Sequence, residues 1–350
     1  MQTNRGGMNV GDWPHVCSVL RTEACRHWAL VDDGLWHRPA AREEQLALRI
    51  FRTLSDQPRW LEARFLYDQR GSELFESIST LPEYYLTRTE NALLETNARR
   101  IVSDSRADCL VEIGAGASVK TRHLLDGMFD ATSSGTFVPI DVSRSALRSA
   151  RDALRRDYPA LQFVGLHAAL EDVLPDLDPS LPKLLIFLGS SIGNFPRTEL
   201  VQFLTSVTAA LGPNDSFLLG VDGMKSPGII ERAYRDSAGV TRSFILNVFH
   251  ALNGLVDSDF RPDDFEYEPT FNEAWQQMEM WVRARKPGRT TFRSIGRTLE
   301  WKEGDRILVE VSRKFDPARL AEQIAAFDVE LRSEYTDPDR SFSLLLFRRT

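Results

Sequence analysis

Short apolar runs alternate with amphipathic stretches from Ile101 onward, the pattern of β-α-β units around a mostly parallel sheet. Cys109–Ile113 (CLVEI) reads as a strand buried on both faces, ending in Gly114-Ala-Gly116, and Val119–Met128 behind it has helical composition. Thr136–Asp141 is the second strand, and Ser143 caps a helix whose apolar positions Leu147, Ala150 and Leu154 recur at three and four. Gln162–Leu166 and Leu184–Leu188 follow as strands three and four. The fourth ends in a polar turn from Gly189 to Asn194, before a helix at Thr198–Leu211 and a fifth strand at Ser216–Val221. After a strand at Ile307–Phe315, a helix at Pro317–Phe327 and strands near Glu330–Tyr335 and Phe342–Phe347 close the sheet.

Between Gly223 and Ile307 the alternation breaks down into a long region with Trp275, Trp281 and a basic patch from Arg283 to Arg293, which reads as an insertion. Ahead of the sheet, Thr87-Arg-Thr-Glu90 has the form of a capping box, with Leu93, Leu94, Ala98 and Ile101 forming an apolar face behind it. Neither the N-terminal arm nor the insertion alone carries enough apolar surface for a core, so the two are expected to build one second domain.

Composition narrows the range of partners. The chain has 350 residues, 42% apolar and 27% charged, with a net charge of -7, which gives no global attraction to phosphate backbones. A small-molecule partner fits better than nucleic acid. Three cysteines, an odd number without a signal-peptide pattern, point to a reducing cytoplasm. No apolar run approaches the ~20 residues that cross a bilayer. His15, Cys17, Cys25 and His27 match none of the common zinc spacings, so no metal is expected. The polar stretch before Met8 makes that residue an alternative start, and the leader is assigned no function.

Candidate chemistry gathers at strand ends, where open α/β sheets bind ligands. Gly114 and Gly116 allow a ligand close to the backbone, and Asp141 ends the second strand where its carboxylate can accept from two ribose hydroxyls. A dinucleotide is disfavoured, because Val119 stands where the G-x-G-x-x-G fingerprint needs its third glycine. In Leu308-Val-Glu310-Val-Ser312, residues two apart share a strand face, so Glu310 and Ser312 point together, into a site or into water. The run Arg283-Ala-Arg285-Lys-Pro-Gly-Arg289 reads as a solvated hairpin rather than an anion site.

The segment Tyr67–Glu90 (YDQRGSELFESISTLPEYYLTRTE), with three tyrosines, a glycine turn at Gly71 and the helix-start signal, resembles the signature of the ergothioneine-biosynthetic histidine Nα-methyltransferases. The resemblance runs from about Gln45 to the C-terminus. It implies a Rossmann-like class I methyltransferase sheet at 89–224 and 315–350 and a histidine-binding domain at 41–88 and 225–314, preceded by a leader at 1–40 that is in part poorly ordered. It also implies trimethylation of the α-amino group of L-histidine by S-adenosylmethionine, giving hercynine, in a cytoplasmic monomer.

Carried over by position, Tyr84, Asn194, Tyr234, Met280, Glu310 and Ser312 hold the amino acid, and Tyr67 sits where amine and cofactor meet. Gly114, Gly116, Lys120, Asp141 and Gly189 hold the cofactor. Ala169 and Leu170 occupy the adenine position, where the family has an acid and an aromatic. The adenine contact is therefore lost, moved to Glu171 or Asp172, or made by backbone. Glu310, Ser312 and Met280 together favour histidine. Nα-methylation of tryptophan or tyrosine, and a catalytically silent relative, stay open.

Overall fold

The computed structural model describes residues 18–32, 34–37 and 43–350. A ten-stranded sheet contains β1 (Ala29–Asp32), β2 (Leu35–His37), β4 (Cys109–Ile113), β5 (Gly135–Asp141), β6 (Leu161–Phe163), β7 (Gly165–His167), β8 (Leu184–Phe187), β9 (Ser216–Asp222), β15 (Val329–Thr336) and β16 (Phe342–Arg349), in the order β1-β2-β7-β5-β4-β8-β9-β16-β15 with β6 beside β5. Strands β7, β5, β4, β8 and β9 run parallel, and β16 and β15 join antiparallel.

Alternation along these strands explains the layering. Leu110, Phe137, Leu184, Ile186, Leu218 and Leu344 belong to one apolar cluster, with Leu94, Ala98 and Ile101 of α3 (Tyr85–Ser105) and Leu124 and Leu125 of α4 (Arg122–Ala131). Their neighbours Val111, Ile113, Val138, Leu185, Phe187, Leu219 and Leu345 belong to a second, with Phe203 and Leu204 of α7 (Arg197–Ala210) and Leu320 and Ile324 of α10 (Pro317–Ala325). Side chains two apart share a face, so each strand feeds both clusters, and helices cover both sides. Helices α5 (Arg144–Asp157), capped by Ser143 Oγ on Ala146 N, and the single turn α6 (Leu170–Val173) complete this lobe.

The smaller lobe has a four-stranded sheet, β10 (Phe265–Asn272), β11 (Gln277–Ala284), β14 (Arg306–Arg313) and β3 (Arg59–Trp60), and a ribbon of β12 (Gly288–Phe292) and β13 (Arg297–Trp301). Arm and insertion meet within this sheet, because Ile307 and Leu308 pair in parallel with Arg59 and Trp60. Around it lie α1 (Glu43–Ser55), α2 (Gln69–Ser79), α8 (Pro227–Tyr234) and α9 (Val240–Val256). Part of the basic patch pairs with acids: Arg283 with Glu266, Lys286 with Asp264 and Arg293 with Asp257.

Several expectations change. Residues of the supposed leader form β1 and β2 at the edge of the large sheet, β2 pairing with β7, and Leu20, Trp28, Leu35 and Trp36 are buried there. Strands this short carry no periodic signal of their own, and only their tertiary partners define them. His15 and Cys17 lie outside the described residues, and among those described no cluster of His, Cys, Asp and Glu could hold a metal.

Thr87 and Glu90 do not form a capping box. Their helix begins at Tyr85, which places both inside it. Gly71 is not in a turn but inside α2, where a Cβ would lie 1.7 Å from the Leu66 carbonyl oxygen; Asp68 caps this helix by accepting from Gly71 N at 2.7 Å. The single strand expected at 162–166 is two, β6 and β7, interrupted at Val164. No helix among the described residues is long and apolar enough to cross a membrane.

Candidate active site

At the carboxyl ends of β4, β5, β7 and β8 stand, in turn, the glycine loop, Asp141, the Ala169–Leu170 corner and Gly189. Gly114 and Gly116 adopt φ of 64° and 52°, and a Cβ on either would meet nothing within 4 Å. Open space therefore faces the loop, and side chains there would fill it. Asp141 organises the corner: Oδ2 accepts from Gly116 N at 2.8 Å and Oδ1 from Ser143 N at 2.7 Å. Burial raises the Asp141 pKa, with the Ser143 and Gly116 N–H groups opposing. Ala169 is the N-cap of α6 and has no hydrogen-bonding side chain to offer a ligand, while Glu171 accepts from Arg64 Nη1 at 2.7 Å.

Glu90, read from the sequence only as part of a capping box, underlies this row. It has no solvent exposure, pairs with Lys120, and accepts from Gly189 N at 2.7 and 3.0 Å. The signal was an acid on a helix face shared with Leu86, Leu93 and Leu94, a position that buries a charge. Glu112 is buried one strand away, its carboxyl bonded by Thr121 Oγ1 at 2.7 Å and pushed by burial up to about 8.

A cavity beside Gly189 is lined by Tyr67, Tyr84, Asn194, Tyr234, Glu310 and Ser312, with Phe75, Ile78, Leu86 and Phe244 as apolar wall. Its aromatic rings pack edge to face, Tyr67 on Phe244 at 5.4 Å and Tyr84 on Tyr234 at 6.1 Å. Met280 lies opposite Glu310 in the β11–β14 register, fully buried, and is not part of the cavity wall.

Two backbone devices bring the polar groups together. A bulge shifts the β11–β14 register between Met280 and Trp281, leaving Val309 as the extra residue. Ile307 and Val309 are buried ahead of it and Glu310 and Ser312 beyond it, so the bulge transfers the buried face from odd to even positions. At the turn Ser191–Asn194, Gly193 passes so close to β14 that a Cβ would lie 2.7 Å from the Arg313 carbonyl oxygen. Asn194 Nδ2 consequently donates to Glu310 Oε1 at 3.0 Å.

Burial pushes the Glu310 carboxyl up to about 8, with the Lys314 charge opposing. Burial first, and nearby Glu310 among other charges, holds the phenols of Tyr67, Tyr84 and Tyr234 well above their ordinary range, so they stay neutral. Tyr67 feels Glu310 and Asp141 together, which puts it between the two halves of the site.

A mostly parallel sheet with a glycine loop at the carboxyl end of β4 and an acid at the end of β5 has the architecture of Rossmann-like S-adenosylmethionine-dependent methyltransferases. Residues 46–349 match the family described as histidine-specific, SAM-dependent methyltransferases, and the chain belongs to that family. It is 38% identical over 293 residues to a histidine N-alpha-methyltransferase of Mycolicibacterium smegmatis, covering 84% of this chain and 91% of that one. It is 37% identical over 303 residues to the protein of the same name in Mycobacterium tuberculosis, covering 86% and 94%. Ergothioneine biosynthesis protein 1 of Neurospora crassa is 31% identical over 289 residues, which are 80% of this chain and 32% of that protein.

Proposed function

We propose that this protein transfers three methyl groups in succession from S-adenosylmethionine to the α-amino group of L-histidine, giving hercynine, the first step of ergothioneine biosynthesis. The observation that carries the substrate assignment is the pair Glu310 and Ser312, buried on one strand face of the cavity beside Asn194. A carboxylate and a hydroxyl can bond both nitrogens of an imidazole, and a site so built rejects rings that leave them unpaired.

The glycine loop fits the cofactor, since the space over Gly114 and Gly116 is what its amino-acid portion and ribose require. Gly114, Gly116, Asp141 and Gly189 would hold it, with Lys120 in reach of a carboxylate and Ala169 and Leu170 against the base. When bound, the cofactor supplies an electrophilic methyl group, and displacement asks the protein chiefly for alignment and exclusion of water.

Asn194 and Tyr84 orient the amino acid's carboxylate and amine, and Tyr67 stands at the junction with the cofactor. Their neutral side chains set no fixed charge against a sulfonium. The aromatic faces accommodate the product's quaternary ammonium, at ~0.5–2 kcal/mol per cation–π contact. The protein would act as a monomer on a free amino acid, and its three cysteines fit a reducing cytoplasm.

Mass spectrometry of reactions with S-adenosylmethionine and each common amino acid tests the assignment. Trimethylated histidine is expected. Methylation of tryptophan or tyrosine instead would overturn the reading of Glu310 and Ser312, and transfer to none would favour a silent relative.

A further inference from the structure

We infer that Lys314 is a positioning residue for acceptor recognition: it fixes Ser312 as a hydrogen-bond donor, so that the cavity reads a ring presenting one N–H and one bare nitrogen. The inference rests on the histidine reading above and goes past it, to a residue outside the cavity wall.

Lys314 has a fully buried side chain, and an ammonium offers three hydrogens. All three are spent, on Asp222 Oδ2 at 2.8 Å, Tyr234 Oη at 2.8 Å and Ser312 Oγ at 2.9 Å. Asp222 is as deeply buried and is itself held by Tyr85 Oη, donating at 2.8 Å, and by Lys225 Nζ at 2.5 Å. Lys314, Asp222 and Tyr85 lie behind the wall to which Tyr234 and Ser312 belong.

These bonds limit what Ser312 can do. Tyr234 Oη donates to Ser312 Oγ at 2.7 Å, and Lys314 donates to the same oxygen. A hydroxyl has two lone pairs and one proton, so both lone pairs are occupied and only the proton is left for a ligand. Glu310, two residues along the same face, accepts when ionised. A neutral imidazole has one donor and one acceptor nitrogen and satisfies both. An imidazolium has two donors and would bring its second N–H against the Ser312 proton, with the Lys314 charge 2.9 Å behind that hydroxyl. An indole has a donor only and leaves Ser312 unpaired.

The test is a double-mutant cycle of Lys314→Met and Ser312→Ala, reading L-histidine affinity by calorimetry on protein saturated with S-adenosylhomocysteine. Lys314→Met keeps the chain length and leaves Asp222 paired with Lys225, and an unchanged affinity for S-adenosylhomocysteine verifies the fold. Each single variant is expected to bind histidine roughly tenfold more weakly, the range of one lost hydrogen bond to a charged or buried group. The double variant is expected within about twofold of Ser312→Ala, since sites acting through one another are not additive. Multiplying effects overturn the inference.

Lys314→Gln retains an amide donor for Ser312 and is expected to recover most of the affinity; a loss equal to that of Lys314→Met also overturns it. A third measurement compares histidine with β-(2-thienyl)-L-alanine, whose ring has neither N–H nor a basic nitrogen. The preference for histidine is expected to shrink in Lys314→Met, and an unchanged preference refutes the role. Wild-type protein that binds no histidine would overturn the substrate reading itself, whereas histidine binding with additive effects overturns this inference alone.

Discussion

Asn194 donates to Glu310 across 3.0 Å, joining the loop that follows β8 of the large sheet to the bulged strand β14 of the small one. Elements of the large and the small sheet are thus in direct contact at the wall of the cavity.

Glu310→Gln should separate recognition from cofactor binding. Loss of a charge-assisted hydrogen bond costs ~1.5–3 kcal/mol, so kcat/KM for histidine should fall roughly 10- to 200-fold. S-adenosylmethionine affinity should hold within about twofold; equal loss of both would contradict the assigned role.

Glu310 should also leave a mark on stability. Its carboxyl titrates near 8 when buried in the folded protein, against ~4.3 in an unfolded chain. Between those values the folded state carries a proton that the unfolded state lacks, so the contribution is complete at low pH and is lost as pH rises toward 8. In melts of ligand-free protein from pH 5 to 8, the wild-type Tm should decline relative to Glu310→Gln. Parallel curves would mean that the carboxyl titrates normally.

Glu90→Ala removes the partner of Lys120 and the acceptor of Gly189 N. Because Lys120 is partly exposed, the cost should sit near ~2–3 kcal/mol, below that of breaking a wholly buried pair. The Tm should drop by several degrees and S-adenosylmethionine Kd should rise at least roughly tenfold. A variant with wild-type Kd would relegate Glu90 to packing.

Gly193→Ala forces a methyl group against the Arg313 carbonyl, a backbone atom that cannot swing aside. The turn must move and carry Asn194 with it, and displacements near 1 Å cost up to ~100-fold in rate. Steady-state kinetics should show reduced kcat/KM for histidine with cofactor affinity retained. Unchanged kinetics would show that the turn yields without disturbing Asn194.

Much of the large sheet was legible because its strands are buried on both faces and announce themselves as apolar runs, as in Cys109–Ile113 and Leu184–Phe187. The helix after the glycine loop starts at Arg122 rather than Val119, since Ser118 has a positive φ of 52° and extends the turn. The shared face of Glu310 and Ser312 follows from a period of two, but which side that face takes depends on a bulge paired with β11, a tertiary event. Glu90, Asp222 and Lys314 were hidden for a common reason: a buried charge looks like a surface charge until its partners, distant in sequence, are placed around it. The first two strands were invisible likewise, since β1 is defined by β2 and β2 in turn by β7.

The pairing of Arg59 and Trp60 with β14 makes the two lobes inseparable along the chain. The small lobe is closed by segments some 250 positions apart, and the large one resumes only with α10, β15 and β16 after it. Any cut between residues 60 and 306 separates β3 from β14. During synthesis the nascent chain must therefore keep β3 unpaired until β14 leaves the ribosome, so the cavity wall that β14 contributes is completed late.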